Sequence, residues 1–293
     1  MPKVSIGMPV YNGAKFIREA LDSLLAQTFT DFELIISDNA STDETEAICR
    51  EYAAKDKRIR YVRQAQNLGA MANFKYVLDE ARGEYFMWAA HDDLWESDYL
   101  MNATSILKDI SLSFVFPSFA LASIRFPIKK YIRGSIYKFI EYSDSRKRVL
   151  EFLLLHHLSH KCNIVYSLFR ADFLRSAYSI QDISNDGILG AVLLSRGRGG
   201  LLSKPCFIKR YETLWPGALT YVFKYVFRCL NITCSTEFEY NKSISTDKLC
   251  NLLPQYKKEI KLIFDQYREY DYQKDFKICS IDVVDGSVGH NNA

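Results

Sequence analysis

The chain has 293 residues, a formal net charge of +3, 48% hydrophobic and 25% charged residues. That composition lets a globular chain bury a sizeable core, and it excludes disordered and collagen-like classes. Seven cysteines, an odd number with no CxxC pair, argue against a disulfide framework or zinc knuckle and for a reducing compartment. The opening MPKVSIGMPV is too short and polar for a secretory signal, and no run approaches the ~20 apolar residues that cross a bilayer, so a cytoplasmic, non-spanning protein is expected. The charge is uneven: between 124 and 231, eighteen Lys and Arg stand against seven Asp and Glu. A basic central third suits an anionic partner, or equally a solvated basic face.

The first 123 residues alternate strand and helix patterns. VSIGMPVYN is short, apolar and closed by Asn-Gly, which predicts a buried strand. Residues 15–27 predict a helix, with Phe16, Ile17, Ala20, Leu21, Leu24 and Leu25 forming one apolar face. FELIISD predicts a second strand. Ser41 and Glu44 then read as a capping pair for a helix running to about Asp56. IRYVRQ is a third strand, 70–81 a helix, and EYFMWAA a fourth strand ending at His91-Asp92-Asp93. A helix over 98–109 and a fifth strand, LSFVFPSFALAS, complete the alternation. Such order predicts an α/β fold with a mostly parallel sheet covered by helices on both faces.

After Ile124 the rhythm breaks. Helices are expected over 146–157, 171–177 and 186–195, and strands at CNIVYSLFR and LSKPCFIKRY. Beyond Trp215 the chain is aromatic and partly helical, and the tail GSVGHNNA is expected to be disordered. The organisation expected is a catalytic unit over 1–212, with a ligand-binding half at 1–123 and an acceptor-side half at 124–212, followed by an extension over 213–293.

In an open parallel sheet, ligands bind beyond the carboxyl ends of the strands. Polar residues gather there: Pro9-Val10-Tyr11-Asn12, Ser37-Asp38-Asn39, Gln66-Asn67-Leu68-Gly69 and Asp92-Asp93. No GxGxxG follows the first strand, so the dinucleotide fingerprint is absent, and so is a Walker loop. Adjacent carboxylates suit Mg²⁺ or Mn²⁺, which take one or two protein carboxylates and complete their shell with water and phosphate oxygens. The bland reading makes them the cap of the following helix. A position directly after a wholly apolar strand, matching that of Asp38, favours the metal.

Three segments carry a resemblance: VSIGMPVYNGAKFIREALDSLLAQT, FELIISDNASTDET and NLGAMANFKYVLDEARGEYFMWAAHDD. Together they cover about the first 110 residues, and the chain resembles a family 2 glycosyltransferase with the GT-A fold. The resemblance implies an inverting enzyme that moves a single sugar from a nucleotide-diphosphate sugar, typically a UDP-sugar, to a glycan or lipid-diphosphate-linked acceptor. It implies Mn²⁺ or Mg²⁺ as cofactor and no nucleic-acid partner. By the same match Asp38 holds the nucleobase, flanked by Pro9, Tyr11 and Asn12. Asn67, Gly69 and Asn73 shape the ribose and phosphate pocket. The DxD-type motif reads His91-Asp92-Asp93, with Asp93 on the metal and Asp92 on ribose or a metal-bound water. His91 in the first position leaves one carboxylate fewer.

The resemblance also calls for an acidic general base in the second half. Asp186, opening an apolar helix, is the candidate, with Asp182 as runner-up. The alternative for Asp186 is a plain carboxylate favoured by the helix dipole. Arg210 resembles a basic residue that approaches the diphosphate, or is an ordinary surface charge. Asn163 and Arg170 match an acceptor-facing strand, with packing as an equal alternative. His156 and His160 share a helix face near His157, but no third metal ligand is evident. A protein that binds nucleotide sugars without catalysis would lose the aspartate pair or the base, and all three are present. Residues 213–230, TLWPGALTYVFKYVFRCL, mix aromatic and basic groups, so they suit either an anionic membrane surface or packing on the catalytic unit.

Overall fold

A computed structural model describes residues 1–123, 129–131, 134–155, 161–178, 186–211, 250–251, 253–258 and 260–261. Five elements alternate first: β1 (Val4–Val10), α1 (Ile17–Leu25), β2 (Phe32–Asp38), α2 (Thr45–Lys55) and β3 (Ile59–Arg63). They are followed by α3 (Ala70–Asp79), β4 (Tyr85–Trp88), β5 (Leu94–Trp95), α4 (Tyr99–Ile106) and β6 (Phe114–Ser123). The second half contributes β7 (Lys129–Tyr131), α5 (Ser145–Leu154), β8 (Leu168–Arg170), α6 (Ala171–Tyr178), α7 (Asp186–Arg196) and β9 (Gly199–Tyr211). Short 3-10 turns lie at Gly134–Glu141, Lys161–Tyr166 and Pro254–Tyr256.

The sheet runs β3-β2-β1-β4-β8-β6-β9-β5, with β7 alongside β6. Its first four strands are parallel, as the alternation predicts. The remainder is mixed: β8 is antiparallel to both β4 and β6, and β5 is antiparallel to β9. Every residue of β1 and β2 is buried, because helices cover both faces. On α1, Ile17, Ala20, Leu21 and Leu24 are the buried stripe. On the second-half side Trp88 is the hub. Its ring meets Phe74, Phe86, Phe169 and Tyr178, and its indole N–H donates to the Phe74 carbonyl at 3.0 Å. In α7 every residue from Gly187 to Leu194 is buried, the signature of a helix enclosed on all sides.

Several local expectations differ. The α2 helix starts at Thr45, and Ser41 does not cap it. Its hydroxyl instead accepts the Asn12 N–H at 2.9 Å, while Asp43 takes the Thr45 N–H at 3.0 Å. CNIVYSLFR forms a 3-10 turn before the three-residue β8, and β9 begins inside the glycine-rich stretch. No helix among the described residues is long and apolar enough to cross a membrane. His156, His157, His160, Asp182 and residues 213–230 lie outside the described residues. In the extension Cys250, Leu253, Tyr256 and Ile260 are buried, and the Tyr256 hydroxyl bonds that of Ser145 at 2.7 Å.

At the amino ends of the strands, a buried polar knot ties the sheet together. The Ser5 hydroxyl donates to Glu33 at 2.7 Å, Arg60 pairs with Glu33 at 2.9 Å, and the Gly83 N–H donates to Ser5 at 2.8 Å. A Cβ on Gly83 would lie 2.6 Å from the Ser5 nitrogen and 2.8 Å from the Tyr85 oxygen, both backbone atoms that cannot rotate aside. Gly83→Ala should therefore destabilise the fold by about 1–3 kcal/mol. Chemical denaturation checks this, and an unchanged midpoint would show that the close approach is absent.

Candidate active site

The strand order reverses between β1 and β4: β2 and β3 follow on one side, and β4 opens the other. Crevices at such switch points, beyond the carboxyl ends, are where open α/β sheets bind ligands. Pairing of β1 with β4 ends at Gly7 and Trp88, while β1 runs on to Val10. Pro9, which has no N–H, sits in that extension, free of β4 but still paired with Ser37 of β2, and is buried. Tyr11 is 46% exposed at its tip.

The loops around this crevice are bonded to one another. Asn12 adopts a positive φ of 52° and its side chain accepts the Thr42 N–H at 2.8 Å. The Gly13 N–H donates to the Thr45 hydroxyl at 2.8 Å, which locks the first loop onto the second. A Cβ on Gly13 would strike the His91 ring at 2.7 Å, so the glycine is what admits His91 beside β1. Asn39 donates to Asn67 at 2.8 Å and accepts the Leu68 N–H at 2.8 Å, joining the second loop to the third. Gly69, at φ 81°, begins α3, and it and Asn67 are exposed.

Two residues expected in the pocket lie beneath it. Asp38 is fully buried. One oxygen accepts the Ser41 N–H at 2.8 Å; the other accepts from the Tyr61 hydroxyl at 2.8 Å and from Arg63 at 3.1 Å. With both oxygens engaged, the carboxylate braces the second loop. Asn73 is also buried, donating to the Ser37 carbonyl at 2.9 Å and accepting its hydroxyl at 2.6 Å, so it pins α3 to β2.

The aspartate pair is divided. Asp92 is half-buried, and its carboxylate makes no hydrogen bond or ion pair among the described residues. Asp93 is fully buried, one oxygen accepting the Arg210 backbone N–H at 2.9 Å and the other the Lys209 ammonium at 2.8 Å. The antiparallel ladder of β5 with β9 pairs Leu94 with Ile208 and Trp95 with Phe207, so Asp93 falls opposite Lys209 one step beyond it. Burial pushes the Asp93 carboxyl up to about 6, with Lys209 pulling the other way. Burial would lower the Lys209 ammonium, but Tyr166 and Asp93 outweigh it and hold it charged. Burial also lowers the His91 imidazole, which favours its neutral form.

Arg210 is 8% exposed and is committed internally: it pairs with Glu19, donates to the Asp92 carbonyl and reaches the Phe16 carbonyl at 3.3 Å. It fixes the loop that carries the aspartates. The cation beside them is its neighbour Lys209, which sequence reasoning missed. Lys209 lies 116 residues from Asp93, and only its alternation with Arg210 along one strand hinted at a second, differently directed cation.

Asp186 opens α7 with its side chain exposed, yet dense protein around it strips hydration and raises its carboxyl, with Lys209 opposing. The same field couples Asp186, Asp92 and Asp93 to the Tyr166 phenol, over whose ring the Lys209 ammonium sits at 5.0 Å. Asp186 thus joins the cluster electrostatically. Arg170 does not: it donates to the Leu112 and Leu107 carbonyls at 2.9 and 2.7 Å, capping the end of α4. Asn163 is buried and its amide nitrogen has no hydrogen-bond partner among the described residues. No group of three His, Cys, Asp or Glu among the described residues is placed to hold a metal. A hard cation here would rely on the two aspartates plus water and substrate oxygens, which suits Mg²⁺ or Mn²⁺.

The family described as "Glycosyl transferase family 2" matches residues 5–171, more than half of the chain. A relative from Rickettsia typhi, described as an uncharacterized glycosyltransferase RT0329, is 32% identical over 166 residues, which is 56% of this chain and 50% of that protein. The chain thus spans about half the length of that curated relative. Among solved structures, Staphylococcus aureus TarS 1-349 in complex with UDP-GlcNAc is similar with a TM-score of 0.57 and 19% identity, over 93% of this chain and 76% of that one. The mannosyltransferase PcManGT of Pyrobaculum calidifontis, in complex with GDP-Man and Mn²⁺, is similar at 0.53 and 15%, over 93% and 81%. These likenesses carry the GT-A fold, and the motif-bearing half of the chain lies within the matched region. The chain belongs to glycosyltransferase family 2.

Proposed function

We propose that the chain transfers one sugar from a nucleotide-diphosphate sugar, with UDP-sugars first in line, to a hydroxyl of a glycan or lipid-diphosphate-linked acceptor, with inversion at the anomeric carbon. The observation that carries this reading is the aspartate pair at the switch point, with Asp93 bonded to the buried Lys209 and the Asp92 carboxylate unengaged among the described residues; the field of Lys209 also reaches Asp186. An inactive binding protein would not need Asp186 in that field.

In this reading the nucleoside lies across the loops after β1, β2 and β3, near Tyr11, Asn12, Asn67 and Gly69. Asp38 and Asn73 act from below, by holding those loops. Asp92 and Asp93 would hold Mn²⁺ or Mg²⁺. The bound ion supplies positive charge that stabilises the departing diphosphate. Asp186 takes the proton from the acceptor hydroxyl as its oxygen bonds to the anomeric carbon; the bond from that carbon to the phosphate oxygen breaks, and its electron pair leaves with the diphosphate. A carboxyl whose pKa is raised by partial burial is a better base near neutral pH than an open one. Arg210 keeps the aspartate loop in place. The net positive charge of residues 124–231 would favour an acceptor that carries phosphate, at or near an anionic membrane surface.

The direct test is hydrolysis and transfer with a panel of UDP-, GDP- and dTDP-sugars and Mn²⁺. Turnover should appear with one nucleobase, vanish in excess EDTA, and give a β-linked product from an α-linked donor by proton NMR. Full turnover in EDTA, or a retained α-linkage, would contradict the roles given to the aspartates and Asp186.

The protonation of Asp93 gives a second expectation. Its raised pKa keeps it protonated up to about pH 6, so the carboxylate that can accept a metal forms only above that value. Mn²⁺ affinity should be level above about pH 7 and fall by roughly tenfold per pH unit below about 6. Calorimetric titration across pH checks this; a profile left unchanged by Asp93→Asn would remove Asp93 from metal binding.

A further inference from the structure

Lys209 occupies an unusual place. Its ammonium donates to the buried Asp93 oxygen at 2.8 Å, lies over the Tyr166 ring at 5.0 Å and exerts its field on His91 and Asp186. The other cation at this loop, Arg210, is already neutralised by Glu19. Among the described residues, Lys209 is the cation that bonds Asp93 and whose field also reaches Asp92 and Asp186. Asp93 is fully buried while the lysine side chain is 19% exposed, so the ammonium is the more accessible partner of the pair.

We infer that Lys209 is the resident cation of the metal site: it holds Asp93 in the donor-free protein, and a divalent ion takes Asp93 only by exchanging with it. The inference rests on the nucleotide-sugar reading for its second half. A buried carboxylate without a counter-charge is costly, so Asp93 is kept paired throughout. The lysine stem is flexible, and an ammonium is a point charge that can be redirected, unlike the forked guanidinium of the committed Arg210. Released from Asp93, the Lys209 ammonium would find in the donor diphosphate a more highly charged partner than Asp186. Metal alone leaves the displaced lysine only Asp186, the one of the three carboxylates that the metal does not take. Metal with a nucleoside diphosphate gives the displaced ammonium that more highly charged partner. Mn²⁺ and UDP thus help one another through one side chain, and the help is reciprocal.

The test uses the full chain with Mn²⁺, UDP and UMP as probes. In Lys209→Met, Mn²⁺ alone should bind roughly 10- to 100-fold more tightly, because its competitor is gone, while UDP in saturating Mn²⁺ binds more weakly by a similar factor. UMP, which lacks the second phosphate, should change least. These opposite shifts separate exchange from a structural role, since a lysine that merely holds the loop would weaken both. Unchanged Mn²⁺ affinity, or equal loss for both ligands, overturns the inference. Should Lys209→Met fail to fold, the wild-type chain decides: its slow-exchanging Lys209 ammonium signal in ¹H–¹⁵N NMR, assigned with Lys209→Arg, should move when Mg²⁺ and UDP are added together. A signal that stays fixed overturns exchange. If Mg²⁺ displaces the ammonium but no nucleotide binds, exchange stands and the donor reading falls.

Discussion

A buried ion pair between Asp93 and Lys209 is the contact on which the geometry of the site depends. It joins the loop after β4 to the last strand of the sheet, and thereby one half of the chain to the other. It adds a side-chain tie to the contacts that already hold the short β5 segment on β9: the Leu94 and Trp95 pairing, the Glu96 N–H to the Cys206 carbonyl at 3.0 Å and the Arg210 N–H to Asp93 at 2.9 Å. With it, Asp92 is presented at the crevice, Arg210 can anchor the loop from behind through Glu19 and Phe16, and Tyr166 is drawn under the lysine stem. Buried pairs of this kind are weak evidence for net stability, because desolvation offsets the Coulombic gain, but losing one partner strands the other. The pair is better understood as fixing a position than as strengthening a fold.

The rest of the pocket follows the same pattern of polar groups spent on holding loops. Asp38 secures the second loop through Ser41, Tyr61 and Arg63, and Asn39 ties the second loop to the third. Left-handed backbone at Asn12, Ala40 and Gly69 bends these loops. For alanine, which has no side-chain group to compensate, that conformation is strained, and strain of this sort concentrates where a site demands a particular backbone path. Tyr11, Asn12 and Asn67 are thus held exposed on loops that are bonded to one another.

The sequence displayed the parallel half of the fold clearly, because its strands are short apolar runs and its helices carry apolar stripes at helical spacing. The switch-point location of Asp92 and Asp93 was legible for the same reason: both follow an apolar strand. Which carboxylates face solvent was not legible. Asp38 ends an apolar strand and Asp93 follows one in the loop before β5, and only the long-range partners Arg63 and Lys209 show that their oxygens are occupied. Ser41 was misread as a cap because its bond to Asn12 spans 29 residues and leaves no local pattern. The second half was harder still, since the three-residue β7 and β8 are too short to carry a period.

The central claim is that Asp93 and Lys209 act as one unit, and a double-mutant cycle tests it most directly. Unfolding free energies of Asp93→Asn, Lys209→Met and the double variant would be measured by denaturant titration. The account predicts that Lys209→Met alone costs about 3–5 kcal/mol, by stranding a buried carboxylate, while the double variant recovers most of that loss. Additive single and double effects would mean that the two side chains do not depend on one another, and would contradict the account.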